Sequence, residues 1–305
     1  MPKTRRVKKN KSAKGIKSSK KSKNKIINLN DIIDSFHKTI HKNNNYVVSV
    51  LSVIIVLMML YNGLDGMCLS EFKKVLPLSN EHLKYKLSQL KTDKSLLIAN
   101  SIWIKSDLEF KESYIKTIKK YFFTTPNILK KNSDINKWCA ENTNNLISKI
   151  VDEKDKIDIA LINAIYFKGK WVKKFKKSNT YKQLFYSNKN QKVDMMHITD
   201  TFKYYEDKHN QYIKLNYEED DLAAVIILPK TGLSQPINYN WNHILKQLWT
   251  LKIEFSMPKF YIKSEYDLIP YTKKLGLKEI YSNLNIKNMI SNPKKMVITQ
   301  FKQKS

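Results

Sequence analysis

The chain has 305 residues, a formal net charge of +29, 42% apolar residues, six glycines and eight prolines. That length carries one large or two ordinary domains, and the apolar share supplies a core. So little glycine and proline excludes a collagen-like, linker-like or low-complexity chain. The two cysteines, Cys68 and Cys139, exclude a disulfide framework. Neither stands at ligand spacing from a second Cys or a His, so both are expected as buried, inert thiols.

Residues 1–25 hold twelve Lys or Arg and no acid, and removing them leaves +17 on the other 280 residues. The segment has no apolar periodicity and reads as a disordered basic tail over 1–27, ahead of a folded domain over 28–305. Lys3, Arg5, Arg6, Lys8, Lys9, Lys20, Lys21 and Lys23 are its candidates for binding a polyanion, either nucleic acid or a sulfated glycan. A nuclear import signal and a solvated tail without a fixed partner fit the same residues. The charge on the body also has two readings, a binding face or the Lys-, Asn- and Ile-rich usage of an AT-rich genome. No secretory signal is seen, because the first apolar run begins only at residue 46. A cytoplasmic or nuclear location is favoured.

Ile32, Ile33, Phe36 and Ile40 recur at helical spacing in residues 30–42, with Asn30 or Asp31 as caps. From Tyr46 to Tyr61 follow sixteen residues of which only Ser49 and Ser52 are polar. This run is either a membrane anchor behind a basic tail or a buried helix, and sixteen is short of the roughly 20 residues that a span needs. "SEFKKVL" and "NEHLKYKLSQL" predict amphipathic helices capped by Ser70 and Asn80. "SLLIANSIWI" (95–104) predicts a strand, 113–122 a helix, and 134–150 a helix capped at Asp134. Residues 157–171 are almost wholly apolar and β-branched, as in a strand buried on both faces. "QKVDMMHI" and "YIKLNY" predict strands, and "DLAAVIILP" (221–229) a buried one. Then come a helix at "WNHILKQL", a strand pair or long bent strand over 251–262, a helix over 265–277 ending near Gly276, and a last strand in "KKMVITQFKQKS". Helices first and strands later, without βαβ alternation, is an α+β pattern.

No GxSxG, Walker A or GxGxxG pattern exists; the six glycines, at 15, 63, 66, 169, 232 and 276, are too scattered. His37 and His41 stand four apart on a helix, but no ligating or basic carboxylate lies between them, and no metal or other cofactor is expected there. No acid/base pair of carboxylates is recognisable, so nothing marks the chain as an enzyme.

Several segments, in order, resemble the serpin family of protease inhibitors. "LINAIYFKGKW" (161–171) is followed at family spacing by Phe175, Thr180, Phe185 and "VDMM" (193–196). Upstream, "NNYVVSVLSVIIVLMMLYNGLDG" is similar to a segment that runs through a serine pair into a helix and a Gly-x-x-Gly turn. "ANSIWI", "INKWCAENTNNLI", "LAAVIILP", "MPKF", "YDL" and "LGL" fall in family order, over residues 30–305. The resemblance implies a serpin fold, with helices packed on a large central mixed β-sheet. It places the 46–61 run as a strand entering a helix buried behind that sheet, with no membrane span.

It also implies a mechanism. A serine or cysteine protease cuts an exposed reactive loop, which inserts into the central sheet as a new strand while the acyl bond persists. The resemblance assigns Ser49, Ser52, Asn163 and Gln303 to the shutter, where strands part, and Trp171 to the breach at the top of the sheet. Val50 replaces the family proline between the serines. Gln303 replaces a histidine; it can donate and accept but not carry charge. Segments around 76–95 and 127–135 look shorter than usual. "KKMVITQFKQKS" resembles the start of the strand before the hinge, so the 305 residues are expected to lack the reactive loop, its scissile residue and the last C-terminal strands. The function implied is serine-type endopeptidase inhibition by descent, non-inhibitory in these residues as they stand. The alternative is a basic nucleic-acid- or glycan-binding module on the same scaffold.

Overall fold

The computed structural model describes residues 29–40, 45–90, 96–186, 190–218, 222–231, 240–292 and 295–304. The basic tail and His41 lie outside the described residues. The chain opens with α1 (Leu29–Ile40), α2 (Val50–Tyr61), α3 (Gly66–Val75), α4 (Asn80–Leu90), β1 (Leu96–Lys105) and α5 (Glu112–Phe122). There follow β2 (Asn127–Leu129), α6 (Asn132–Asn142), β3 (Ile159–Phe167), β4 (Thr180–Phe185), β5 (Gln191–Glu206), β6 (Asn210–Asn216) and β7 (Ala223–Pro229). The described chain closes with α7 (Trp241–Gln247), β8 (Trp249–Pro258), β9 (Glu265–Asp267), α8 (Ile269–Leu275) and β10 (Ile298–Lys304).

The strands form two five-stranded sheets. One has the order β2-β1-β3-β10-β9; the other has β4-β5-β6-β7, with β8 paired to β5. In the first sheet β3 runs antiparallel to β1 but parallel to β10, a mixed sheet as expected. Its two faces explain the apolar run of β3. Ile159 and Leu161 join the large core built around α2, whereas Ala160, Ile162 and Ala164 join a second core beneath α6. A central strand covered on both sides reads as a near-continuous apolar stretch.

The apolar run at 46–61 is a buried helix. Residues 45–49 are extended, and α2 buries every residue from Val50 to Leu60 except the half-buried Leu51. A helix apolar on all sides belongs inside a core. Twelve residues are also too few to span a bilayer, and no described helix is long and apolar enough to cross a membrane.

Several boundaries differ from the expectations. Ser70 is inside α3, where its hydroxyl donates to Gly66 O, and Asp65 holds the N-cap position. Asn80 is the first residue of α4 and pairs amide to amide with Asn62, while Ser79 Oγ accepts from His82 N. The helix expected over 134–150 stops at Asn142. Thr143 Oγ1 donates to Cys139 O and accepts from Ile147 N, and Asn144 and Asn145 turn left-handed. Asp134 sits in its first turn and accepts from Lys131 N. β3 ends at Phe167 rather than 171. The helix expected over 265–277 begins as a strand, β9, before α8. Of the two readings of 251–262, the single long strand holds, with β8 starting at Trp249 and ending at Pro258. β7 is only half-buried, with Leu228 60% exposed, because its outer edge has no strand partner among the described residues. β2 and β4 are short or exposed and carry no alternation that predicts them.

Candidate functional site

The site lies on the α2-facing side of the first sheet, at the seam where β3 meets β10. The pleat puts Ile159, Leu161 and Asn163 on this face of β3, and Phe301 and Gln303 on the same face of β10. Register then aligns three amides in one row. Asn100 of β1 stands opposite Asn163, which stands opposite Gln303. The next residue across, on β9, is Tyr266.

The amides form a relay. Gln303 Nε2 donates to Asn163 Oδ1 at 2.7 Å, and Asn163 Nδ2 donates to Asn100 Oδ1 at 2.7 Å. Gln303 also clasps the backbone of Ser49: its Oε1 accepts from Ser49 N at 3.2 Å, and its Nε2 donates to Ser49 O at 3.0 Å. This side-chain amide acts as an extra peptide unit, pairing with Ser49 as a neighbouring strand would. Ser49 in turn caps α2. Its Oγ accepts from Ser52 N at 3.4 Å and lies 2.8 Å from Ser52 Oγ. An oxygen at this position satisfies a first-turn donor of the helix.

The site is dry. Ser52, Asn163 and Gln303 are 0% exposed and Asn100 is 7% exposed. An unpaired polar group would be costly here, so the network holds only while every member has a partner. None of these side chains ionises near neutral pH. Charge appears at the other face of β10, where Lys302 pairs with Asp155 at 3.6 Å and Lys304 with Glu265 at 3.4 Å.

The structure therefore brings together Ser49, Ser52, Asn163 and Gln303, and adds Asn100. The sequence does not single out Asn100, a lone Asn in the "IANSIWI" strand; the register with Asn163 brings it into the group. Val50, between the serines, is the first residue of α2 and is buried. Trp171 is apart from this group, just beyond the end of β3. Its ring stacks on Tyr217 with centroids 4.3 Å apart, and the two residues form an isolated bridge. It thus joins the end of the first sheet to the second.

Elsewhere, reactive chemistry is muted. Cys68 and Cys139 are free and buried, and burial pushes the Cys139 thiol up to about 12. His37 Nε2 lies 2.8 Å from Tyr46 Oη. Among the described residues no three His, Cys, Asp or Glu cluster to hold a metal.

A family model described as Serpin (serine protease inhibitor) matches residues 30–305. An uncharacterized serpin-like protein of Thermococcus kodakarensis is 29% identical over 272 residues, covering 81% of this chain and 64% of the relative. Human neuroserpin is 30% identical over 213 residues, covering 60% of this chain and 51% of its own. Among solved structures, a thermophilic serpin, tengpin, in the native state aligns with a TM-score of 0.83 at 24% identity, covering 92% of this chain and 80% of that one. Native protease nexin-1 with heparin aligns with a TM-score of 0.82 at 21% identity, covering 90% and 83%. The chain thus spans less than two thirds of the length of the curated relatives named here.

Proposed function

The chain belongs to the serpin family, and from that premise we propose that residues 29–304 form the sheet and shutter of a serine-type protease inhibitor. The observation that carries this reading is the Asn100–Asn163–Gln303 row with its clasp on Ser49, reaching across the parallel β3–β10 seam of the first sheet. In this family a cleaved loop enters the central sheet as a new strand. Between β3 and β10, that step must break the Gln303–Asn163 bond and separate a parallel ladder, the weaker kind of pairing per residue. Neutral amides suit such a seam, because each can exchange one partner for the peptide of an incoming strand at little net cost. Ser49, Ser52, Asn163 and Gln303 are the shutter residues of this proposal, with Asn100 added. Trp171, braced on Tyr217, is its breach residue.

The reactive loop of a serpin follows the strand that β10 resembles. Protease trapping is therefore work for residues past β10, and a polypeptide of residues 1–305 by itself is expected to trap nothing. The test is incubation of that polypeptide with a panel of serine and cysteine proteases, followed by denaturing electrophoresis. No SDS-stable adduct is expected. A single covalent adduct overturns the assignment of β10 to the strand preceding the loop.

A second reading rests on a separate observation, the twelve cations and no acid in residues 1–25. In it the tail binds nucleic acid or a sulfated glycan by phosphate or sulfate attraction, with strong salt dependence and little sequence preference.

A further inference from the structure

β5 and β6 pair only from Lys203–Lys214 to Glu206–Gln211. Beyond Lys203, β5 stays with β8 while β6 continues along β7, so the two strands part. A cavity of about 250 Å³ occupies the wedge between them. Trp171 and Val172 close one side; Val172 N donates to Asn216 O at 3.0 Å. Trp171, Phe202 and Leu215 give it apolar walls, and its polar lining includes three lysines, Lys173, Lys203 and Lys214.

The three cations are not equivalent. Lys173 is committed: its ammonium pairs with Asp200, holding that carboxyl below the usual carboxylate range, and donates to Thr201. Lys203 and Lys214 stand directly opposite each other across the strands, and neither pairs with a carboxylate among the described residues. Like charges placed so are destabilising. Among the described residues these two cations have no carboxylate partner, and they line the same cavity as Trp171 and Phe202, an arrangement complementary to an anion with an apolar body.

We propose that this wedge binds a small aromatic anion, its ring against Trp171 and Phe202 and its acid group between Lys203 and Lys214. The volume is just under that of common ligand pockets, about 300–1,000 Å³, and limits the ligand to one or two fused rings. The test uses the 305-residue chain and 2-naphthoate, followed by calorimetry and by tryptophan fluorescence, with the uncharged 2-naphthalenemethanol as comparison. Binding at one site is expected, weaker by about tenfold or more for the alcohol. The double variant Lys203→Gln/Lys214→Gln should lose about tenfold or more in affinity for 2-naphthoate, while Lys214→Arg and the nearby Lys170→Gln keep it. Without ligand, the double variant should melt no lower than the parent, since a like-charge contact is relieved; this separates a lost site from a lost fold. Equal affinity for the alcohol, unchanged binding in the double variant, or no saturable binding at millimolar 2-naphthoate overturns the proposal.

Discussion

Gln303 decides how the seam responds to its surroundings. Its amide satisfies both backbone groups of Ser49 and the oxygen of Asn163 at once. Gln303→Ala leaves those groups unpaired in a buried site and should cost about 2–4 kcal/mol of stability, measured by urea unfolding. Gln303→Glu keeps the shape but adds an ionisable group. Burial raises its folded pKa above the unfolded value of about 4.3. A raised carboxyl pKa means that stability is retained below the unfolded value and lost as pH rises through the folded one. Unfolding midpoints of Gln303→Glu relative to the parent should therefore fall from about pH 4 upward; a flat difference contradicts the buried amide network. Four of the five members of this network were legible by family resemblance in the sequence. Asn100 was not, because a single Asn in an apolar strand signals only once the register puts it beside Asn163.

The seam works only if α2 is fixed behind it, and α2 is fixed at both ends. Ser49 starts it, and the Gly63–Gly66 turn follows its end. The two glycines are required for different reasons. Gly66 has φ +59°, where a side chain is strained, while a Cβ on Gly63 would lie 2.7 Å from Met289 Cβ. The Met289 side chain cannot swing away from a clash with its own Cβ. Gly63→Ala should therefore cost about 1–3 kcal/mol in unfolding free energy through overpacking, and a neutral result contradicts this close approach. Elements with a strong period or a long apolar run, α1, α2, β1, β3 and α5, were readable because burial on one or both faces writes itself into the sequence. The end of α6 was not. Thr143 stops it through side-chain bonds to Cys139 and Ile147, while Leu146, Ile147 and Ile150 continue a helical spacing past the stop. The order of the strands was not readable either, since β9 and β10 pair across the 30 residues of chain between them, 268–297.

At the scale of the whole molecule, two systems share one chain. The body carries a sheet with a parallel seam, and the sequence ahead of it carries a dense positive charge. Deleting residues 1–25 should lower the salt needed to elute the protein from a heparin column; unchanged retention would assign polyanion binding to the +17 of the remaining chain instead. In the proposed inhibitor scaffold the β3–β10 seam of the sheet is built to part while the β1–β3 seam is not. Backbone amides of β3 point alternately to these two neighbours, so one strand contains its own control. The most direct test is native-state hydrogen exchange resolved at single amides of Ile159–Ala164. Amides bonded to β10 should exchange through a local opening well below the global unfolding free energy, and Gln303→Ala should accelerate these most. Amides bonded to β1 should exchange only with global unfolding. Equal protection of the two sets, unmoved by Gln303→Ala relative to each other, would contradict the account.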